Sequence, residues 1–416
     1  MKQFIDIEQV VVSADSIKEV VLKTPLMKNH SESLKWNAEI YFKREDLQHV
    51  RSYKIRGAYN KINAMSAYEC SKGVVCASAG NHAQGVAFSC AKKKIKGVVF
   101  MPIPTPNQKV EQVKMFGQEY IEVVLTGDTF DDASVSAIDY CKKNKMTFIH
   151  PFDDLKVIEG QATIGLELLA QTDEPIDFLF LPVGGGGLAA GVSSVFRILS
   201  PNTKIIGVEP MGAPSMSNSI HQGSNVALEN IDKFIDGASV KQVGAINFDI
   251  CNINLSEMAL VHEGKVCQTL LDLYNKEAIV VEPAGAMTVA VLEQYKDEIK
   301  GKNVICLISG SNNDVTRFEE IKERAMLYAG LKHYFIVRFP QRPGALREFI
   351  TDVVGPKDNI THFEYYKKHN RNTGPAIVGI ELYQARDIEG LKTRMKEKNF
   401  FGEYLNDKPD LFQFLV

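Results

Sequence analysis

The sequence predicts an α/β protein in which a unit built on parallel β-sheet is followed by a smaller domain of different topology. From residue 54 to about 330, short apolar segments alternate with helix-like segments, a spacing typical of βαβ units. After Gly330 the order changes to βαββαβ, the arrangement of ferredoxin-like domains. The chain has 416 residues, which is also long enough for two or three domains.

The first half of the chain supplies the earlier elements of the predicted sheet. A helix is predicted at 14–23, with Ser13 or Asp15 as its cap and Pro25 just beyond its end. The strands predicted in this half lie at 39–43, 73–77, 97–101, 120–125 and 147–150. The helices predicted between them lie at 83–94, 110–116 and 130–143. Strands separated by helices of this length favour parallel pairing.

The second half continues the alternation and then departs from it. Strands are predicted at 177–183, 204–208 and 304–308, and helices at 159–171, 188–198 and 315–327. Residues 210–256 are less regular. In the C-terminal part, strands are predicted at 334–339, 360–366, 376–382 and 411–416, and helices at 345–354 and around 388–395. Nothing in this last part pairs a nucleophile with a base.

Composition excludes several classes of function. The formal net charge of −3 gives no electrostatic reason to expect a nucleic acid or a membrane surface as partner. The seven cysteines are widely spaced without a C-x-x-C pair, so neither a disulfide framework nor a zinc site is predicted. Acidic residues occupy the N-terminal positions where a secretory signal would be apolar. We therefore expect a cytoplasmic protein with reduced thiols.

The segment Ser52-Tyr53-Lys54-Ile55-Arg56-Gly57 is the candidate centre of the chemistry. A lysine held away from water loses its proton more readily, and the neutral amine can form a Schiff base with a carbonyl compound. The charges of Arg51 and Arg56 are expected to disfavour the ammonium form of Lys54 further. Alone, the pattern is more typical of a solvated lysine before a helix, so its interpretation depends on other segments.

The run Gly184-Gly185-Gly186-Gly187-Leu188 follows a predicted buried strand and opens a helix. Consecutive glycines let backbone N–H groups converge, and a helix N-terminus adds partial positive charge, so the run suits a phosphate monoester. No Gly-Lys-Ser/Thr follows, and the spacing is not that of a dinucleotide fingerprint. The alternative is a tight strand-to-helix turn that needs one glycine.

Two further loops follow predicted strands. The amides of Ser78-Ala79-Gly80-Asn81-His82 could bind a second anion such as a substrate carboxylate, and Asn81 could donate to a phenolate oxygen. A hydroxyl at Ser309 could contact a pyridine nitrogen without protonating it. Taken singly, the first loop equally suits a capped helix start, the second suits a polar loop, and His82 is more typical of a structural histidine.

Together these segments give the chain a family resemblance. The lysine segment, Ser78–Gly85, the glycine run, Glu282-Pro283-Ala284-Gly285-Ala286 and Ser309-Gly310 occur in the order and spacing of the fold type II (tryptophan-synthase-β-like) pyridoxal phosphate enzymes. The chain resembles most closely the biosynthetic threonine dehydratases among them. The resemblance implies a catalytic domain at 1–330, with two parallel-sheet subdomains of which the smaller spans about 53–150. It also implies an ACT-like regulatory domain at 331–416, matched at 342–346 and 359–363.

The resemblance also implies roles for individual residues. Lys54 is the catalytic residue and binds pyridoxal 5′-phosphate, Asn81 contacts the ring oxygen, and Ser309 faces the ring nitrogen. The phosphate is expected to bind the glycine run, at Gly184, Gly185, Gly186, Gly187 and Leu188. The substrate is expected at the loop before the helix predicted at 83–94, at Ser78, Ala79, Gly80 and His82.

Two positions depart from relatives within that family. Related racemases carry a serine hydroxyl as a base where this chain has Ala79, so elimination is favoured over racemisation. Relatives with a divalent metal site pair a glutamate, matched by Glu209, with an aspartate where this chain has Ser215. No metal is therefore expected, and Glu209 is interpreted as structural.

The activity implied is conversion of L-threonine to 2-oxobutanoate and ammonia, the first committed step of isoleucine biosynthesis. Isoleucine is implied as feedback inhibitor and valine as antagonist, and a homotetramer or homodimer is expected. The alternatives on the same fold are a serine/threonine dehydratase of broader specificity and a β-replacement synthase. An amino-acid sensor without catalytic activity is an alternative from a different class.

Overall fold

The protein, described here by a computed structural model over residues 5–365 and 373–408, forms two compact units. The units are Met1–Asn313 and Asp314–Val416. Their division falls before the boundary predicted at residue 330. The helix Phe318–Tyr328 is tied to the second unit, because the Tyr334 hydroxyl donates to the Glu323 carboxylate over 2.6 Å.

The first unit alternates strands and helices, as the sequence predicts. Its strands are β1 Leu26–Lys28, β2 Glu39–Arg44, β3 Val74–Ala77, β4 Gly97–Met101, β5 Ile121–Leu125, β6 Thr147–Phe148, β7 Phe178–Pro182, β8 Lys204–Pro210, β9 Glu257–Val261 and β10 Asn303–Ile308. Its helices are α1 Ile7–Ile17, α2 His30–Trp36, α3 Lys54–Asn63, α4 Ala67–Lys72, α5 Asn81–Lys93, α6 Asn107–Gly117, α7 Phe130–Asn144, α8 Leu155–Gln171, α9 Gly187–Leu199, α10 Ser215–Gln222, α11 Ala245–Asn254, α12 Glu263–Glu277 and α13 Pro283–Ala290.

Two sheets organise the first unit into a larger and a smaller subdomain. The larger sheet has the order β1-β2-β10-β7-β8-β9 and is parallel except for β1, whereas the smaller sheet, β5-β4-β3-β6, is parallel throughout. Strands β3, β4 and β7 are buried along their whole length, which explains their uninterrupted apolar sequences. The carboxyl ends of parallel strands are where such sheets place their sites.

Each subdomain has its own core. In the larger one, the apolar faces of β7, β10, α8 and α9 pack together, through residues that include Leu179, Leu181, Leu307, Ala162 and Val195. In the smaller one, β3 and β4 pack against α5 and α6, through residues that include Val74, Cys76, Val99, Val86 and Val113. Among the described residues, no helix combines the length and apolar character that crossing a bilayer requires.

The predicted first helix is misplaced. The helix runs over Ile7–Ile17, and its cap is Asp6, whose carboxylate accepts the Glu8 N–H over 3.0 Å. Ser13 and Asp15, the predicted caps, lie inside the helix. The helix begins after Asp6 because this start places Val10 and Ile17, which are two turns apart, on one buried face.

Other predicted elements differ mainly in extent. The strand predicted at 147–150 is only Thr147–Phe148, because the His150 ring already accepts the N–H groups of Phe152 and Asp153 in a turn. The irregular region 210–256 contains α10 and α11. The helix predicted at 315–327 begins with a 3₁₀ turn at Val315–Arg317.

The second unit has the predicted βαββαβ order. Its elements are α14 Phe318–Tyr328, β11 Lys332–Pro340, α15 Ala345–Glu348 with a following π turn Phe349–Val353, β12 Asn359–Tyr365, β13 Thr373–Glu381, α16 Ile388–Glu397 and β14 Phe401–Tyr404. The strands form an antiparallel sheet in the order β12-β13-β11-β14. The fourth strand of this sheet, β14, was not predicted from the sequence. The strand predicted at 411–416 lies outside the described residues.

Candidate active site

Lys54 is the first residue of α3 and is fixed at the carboxyl end of β10. The Tyr53 N–H donates to the Ser309 carbonyl over 3.2 Å, and Ser52 forms an isolated antiparallel bridge with Gly310. These backbone contacts join segments that are far apart in the chain. They bring together the predicted catalytic lysine and the predicted partner of the ring nitrogen, whose side chain is buried.

The pKa of the Lys54 amine is lowered towards neutral pH. Its Nζ donates to the Pro151 carbonyl over 2.8 Å. Burial lowers the pKa of Lys54 to about 8, and the Glu282 carboxylate opposes this shift by favouring the ammonium form. A substantial fraction of the amine is therefore neutral at slightly alkaline pH, as a nucleophile requires.

The expected influence of Arg56 on the Lys54 amine is not observed. The Arg56 guanidinium is buried and pairs with two carboxylates, those of Glu45 and Glu167, each over 2.7 Å. Its charge is thus neutralised locally, and burial rather than an arginine charge lowers the pKa of Lys54. The pairs tie the first turn of α3 to the 3₁₀ turn that follows β2 and to α8, so Arg56 anchors the helix that begins with Lys54.

The glycine run Gly184–Leu188 forms the turn between β7 and α9. Gly186 has φ +91°, a conformation that favours glycine, and no side chain caps the first turn of α9. A side chain at Gly185 would overlap the Phe152 ring. The backbone amides of this turn are therefore left for an anion, in a loop whose shape is fixed by packing.

The segment Pro151–Phe152 connects this turn with Lys54. The Pro151 carbonyl accepts Lys54 Nζ, and the next residue, Phe152, packs on the glycine turn. Asn247, which the sequence analysis did not identify, links this segment to the glycine turn. Its Nδ2 donates to the carbonyls of Phe152 (3.0 Å) and Gly185 (2.8 Å). The structure thus places the predicted phosphate loop and the predicted catalytic lysine on either side of one short segment.

The segment Ser78–His82 joins the end of β3 to the first turn of α5. Helix α5 begins at Asn81 without a side-chain cap, and the Ser78 hydroxyl accepts the Gly80 N–H over 3.2 Å. A side chain at Gly80 would meet no atom within 4 Å, so the space in front of this turn is open. Uncapped amides facing open space suit a carboxylate, and the roles of Ser78, Ala79 and Gly80 in substrate binding stay a prediction.

His82 is a neutral buried histidine. Its Nε2 lies 2.9 Å from the Ile149 carbonyl, which requires that nitrogen to carry the proton. Burial lowers the pKa of His82 to about 3, and the nearby Lys54 charge contributes to this shift. Its ring is therefore suited to position the loop and cannot serve as an acid near neutral pH.

Asn81 is held from two sides. Its Nδ2 donates to the Glu282 carboxylate over 2.7 Å, and its Oδ1 accepts from Asn312 Nδ2 over 2.6 Å. Burial raises the pKa of Glu282 to about 7, with Asp236 adding to the rise, whereas the Asn81 hydrogen bond and the charges of Lys109 and Lys54 oppose it. Glu282 begins the Glu-Pro-Ala-Gly segment, the only signal by which the sequence could have indicated it.

Glu209 caps a helix. Its carboxylate accepts the N–H groups of Met216 (2.7 Å) and Ser217 (2.9 Å) in the first turn of α10, and the Ser215 hydroxyl donates to the Val240 carbonyl. Burial raises the pKa of Glu209 to about 8. Over residues 5–365 and 373–408, no three His, Cys, Asp or Glu side chains are grouped as metal ligands would be.

Comparison with known proteins gives consistent matches over both units. The family described as pyridoxal-phosphate dependent enzyme matches residues 17–310, and the C-terminal regulatory domain of threonine dehydratase matches residues 323–415. The biosynthetic L-threonine dehydratase IlvA of Halalkalibacterium halodurans is 53% identical over 412 residues, 99% of each chain. The protein of the same name from Bacillus subtilis is 52% identical over 412 residues, 99% of this chain and 98% of its own.

Solved structures agree with these sequence matches. The processed form of threonine deaminase isoform 2 from Solanum lycopersicum superposes with a TM-score of 0.73 and 39% identity, over 77% of this chain and 89% of that one. A serine racemase from Dictyostelium discoideum gives a TM-score of 0.69 and 31% identity, over 75% of this chain and 100% of that one. The fold is thus shared by proteins that bear different activity names.

Proposed function

The chain belongs to the pyridoxal-phosphate-dependent enzymes that carry the C-terminal regulatory domain of threonine dehydratase, and we propose from this premise that it converts L-threonine to 2-oxobutanoate and ammonia. Relatives that are 52–53% identical over nearly the whole chain are named biosynthetic L-threonine dehydratases. The reaction is the first committed step of isoleucine biosynthesis, which we place in the cytoplasm.

The observation that carries this function is an amine with a pKa of about 8 near a glycine turn whose helix has no side-chain cap. Pyridoxal phosphate needs an amine for its aldehyde and a set of N–H donors for its phosphate, and Lys54 and the amides of Gly184–Leu188 have these properties. The residues present fit the cofactor, because no side chain among the described residues caps the first turn of α9 and the glycine turn packs against Phe152. Ser309, buried at the end of β10, would face the ring nitrogen.

In the reaction that this site supports, Lys54 is also the base. Pyridoxal phosphate supplies an electron sink that makes the α-proton of an amino acid acidic. Lys54 Nζ, when free, takes that proton, because its pKa of about 8 leaves a neutral amine available. The amides of the Ser78–His82 loop hold the substrate carboxylate, and neutral His82 adds no competing charge.

A matched pair of lysine variants tests this assignment. Lys54→Ala should lose the visible absorbance of bound pyridoxal phosphate and all measurable formation of 2-oxobutanoate. Lys61→Ala is the control, since Lys61 lies on the same helix, α3, and forms an ion pair with Asp154. Retention of wild-type absorbance by Lys54→Ala would contradict the role of Lys54.

Substrate preference separates the remaining candidates. A threonine dehydratase forms 2-oxobutanoate from threonine faster than pyruvate from serine, measured as kcat/KM for each substrate. A serine/threonine dehydratase of broader specificity would show comparable values, and a β-replacement synthase would form a β-thiol amino acid when sulfide is added. A sensor without activity would form neither keto acid.

We also propose that the second unit binds isoleucine as inhibitor and valine as antagonist. The support is the match of residues 323–415 to the regulatory domain. An amino acid bound there would act by favouring one of two states of the catalytic unit. Isoleucine should inhibit the full chain but not a chain that ends at Asn313, the end of the first compact unit. An unchanged response in the shortened chain would exclude this site.

We further expect the chain to form a homodimer or a homotetramer. The support is the resemblance alone, since regulatory domains of this kind usually pair across subunits. Sedimentation velocity of the full chain, with and without isoleucine, measures the state directly. A monomer at micromolar concentration would contradict the expectation.

A further inference from the structure

The amide of Asn81 belongs to a chain of hydrogen bonds that crosses the site. Asn312 Nδ2 donates to the Val50 carbonyl over 2.9 Å and to Asn81 Oδ1 over 2.6 Å. Asn81 Nδ2 in turn donates to Glu282 Oε1 over 2.7 Å. The members come from the loop before α3, the start of α5, the start of α13 and the loop after β10, so only the folded chain brings them together.

The direction of this chain is fixed at both ends. A backbone carbonyl such as that of Val50 can only accept, so the NH₂ group of Asn312 must face it. An ionised carboxylate can also only accept, so Glu282 requires the NH₂ group of Asn81 on its side. Reversal of the Asn81 amide would then place its oxygen against a carboxylate and its NH₂ against another NH₂. Each of these contacts is unfavourable for a partly buried group.

One N–H of Asn81 remains after these bonds are made. An NH₂ group has two hydrogens, and within the described residues Asn81 Nδ2 has the Glu282 carboxylate as its hydrogen-bond acceptor. We propose that Glu282 and Asn312 are positioning residues that orient the Asn81 amide so that its second N–H donates to the ring oxygen of the cofactor. The inference rests on the proposed function, because it needs a bound pyridoxal phosphate.

The charges around Glu282 are compatible with an ionised acceptor. Burial raises the pKa of Glu282 to about 7 and Asp236 adds to the rise, whereas the Asn81 hydrogen bond and the charges of Lys109 and Lys54 oppose it. The carboxylate is therefore mostly ionised at slightly alkaline pH. Lys109 also pairs directly with Asp236 over 2.7 Å, which reduces the repulsion between the two carboxylates. The groups that favour Glu282 as an ionised acceptor, Asn81, Lys109 and Lys54, therefore all come from the smaller subdomain.

The test is a spectral titration of the cofactor bound to the full chain. An N–H donor stabilises the ionised ring oxygen, so loss of the donor raises the pKa read from the pH dependence of the absorbance. Asn312→Asp replaces the donor that faces Asn81 Oδ1 with an acceptor and should raise this pKa by about one unit, equivalent to about tenfold. Asn312→Ala keeps the Glu282 bond and should shift it by less than half as much.

Two further variants distinguish an effect on the orientation of the Asn81 amide from a direct effect of the added charge and from general disruption of the structure. Asn254→Asp makes the same chemical change at a partly buried amide that donates to Ser193 and Ser194, and it should leave the titration at the wild-type pKa. In an Asn81→Ala background, Asn312→Asp should cause no further shift, because the oriented group is absent. A shift that persists undiminished in that background would be a direct charge effect and would overturn the inference.

The outcomes also distinguish the inference from the function beneath it. A wild-type chain that takes up pyridoxal phosphate and forms 2-oxobutanoate, but whose Asn312→Asp variant titrates like the wild type, overturns the positioning role alone. A wild-type chain that takes up no pyridoxal phosphate overturns both.

Discussion

The two strand-to-helix turns of the site are alike in plan and opposite in packing. Each follows a strand that is buried along its whole length, and each opens a 13-residue helix whose first turn has no side-chain cap. The glycine turn before α9 is closed against Phe152 and Asn247, whereas the Gly80 turn before α5 faces open space. Both present backbone amides, but only the first is shaped by side chains packed behind it.

This difference supports the proposed assignment of one ligand group to each turn. A phosphate that stays bound through many turnovers benefits from amides that do not move, because a pre-formed cradle loses little entropy on binding. A substrate that must enter and leave needs access, which the open turn before α5 provides. The closed turn is thus suited to the cofactor and the open turn to the amino acid.

The largest expected effect is on the closed turn. Gly185→Ala would drive a methyl group into the Phe152 ring, so the affinity for pyridoxal phosphate should fall by up to about a hundredfold, because overpacking of this kind costs about 1–3 kcal/mol and displaces the amides. The measurement is a fluorescence titration of the cofactor-free protein. Adding Phe152→Ala should recover part of the affinity, and failure of that recovery would show that crowding by the ring does not set the shape of the turn.

The next effect concerns the amine that lies between the turns. Lys54 has a lowered pKa of about 8, so its neutral fraction, and with it the rate of cofactor capture by the cofactor-free protein, should fall about tenfold per pH unit below that value. Above it the rate should level off. Stopped-flow absorbance between pH 6 and pH 9.5 measures this profile. Glu282→Gln should move the midpoint to lower pH, because the carboxylate favours the ammonium form.

The smallest effect is expected at the open turn. Gly80→Ala adds a methyl group where no atom lies within 4 Å, so folding and cofactor affinity should stay within about twofold of the wild type, the range expected for a substitution without steric conflict. The KM for threonine should rise about fivefold, about 1 kcal/mol, because the methyl group occupies substrate space. Loss of cofactor affinity as large as in Gly185→Ala would remove the distinction between the two turns.

Much of the candidate site could be predicted from the sequence because its signals are local. A glycine run after an apolar strand and a lysine before a helix each indicate their chemistry within a few residues, and the structure brings Lys54, Ser309 and both turns together. The βαβ alternation likewise follows from short-range periodicity. Local signals failed at the first helix, where two candidate caps compete with Asp6, and at β14, which lacks a distinctive apolar pattern.

The sequence by itself determined the fold class and the family, and it supplied the candidate residues for the chemistry. Only the tertiary structure decided how those residues are held: Arg56 between Glu45 and Glu167, the glycine turn against Phe152, and Asn81 between Glu282 and Asn312. The physical reason is that a residue's chemical type and its local periodicity are written in adjacent positions. Its hydrogen-bond partners and its burial, which set orientation and pKa, depend on segments that meet only when the sheets and helices pack.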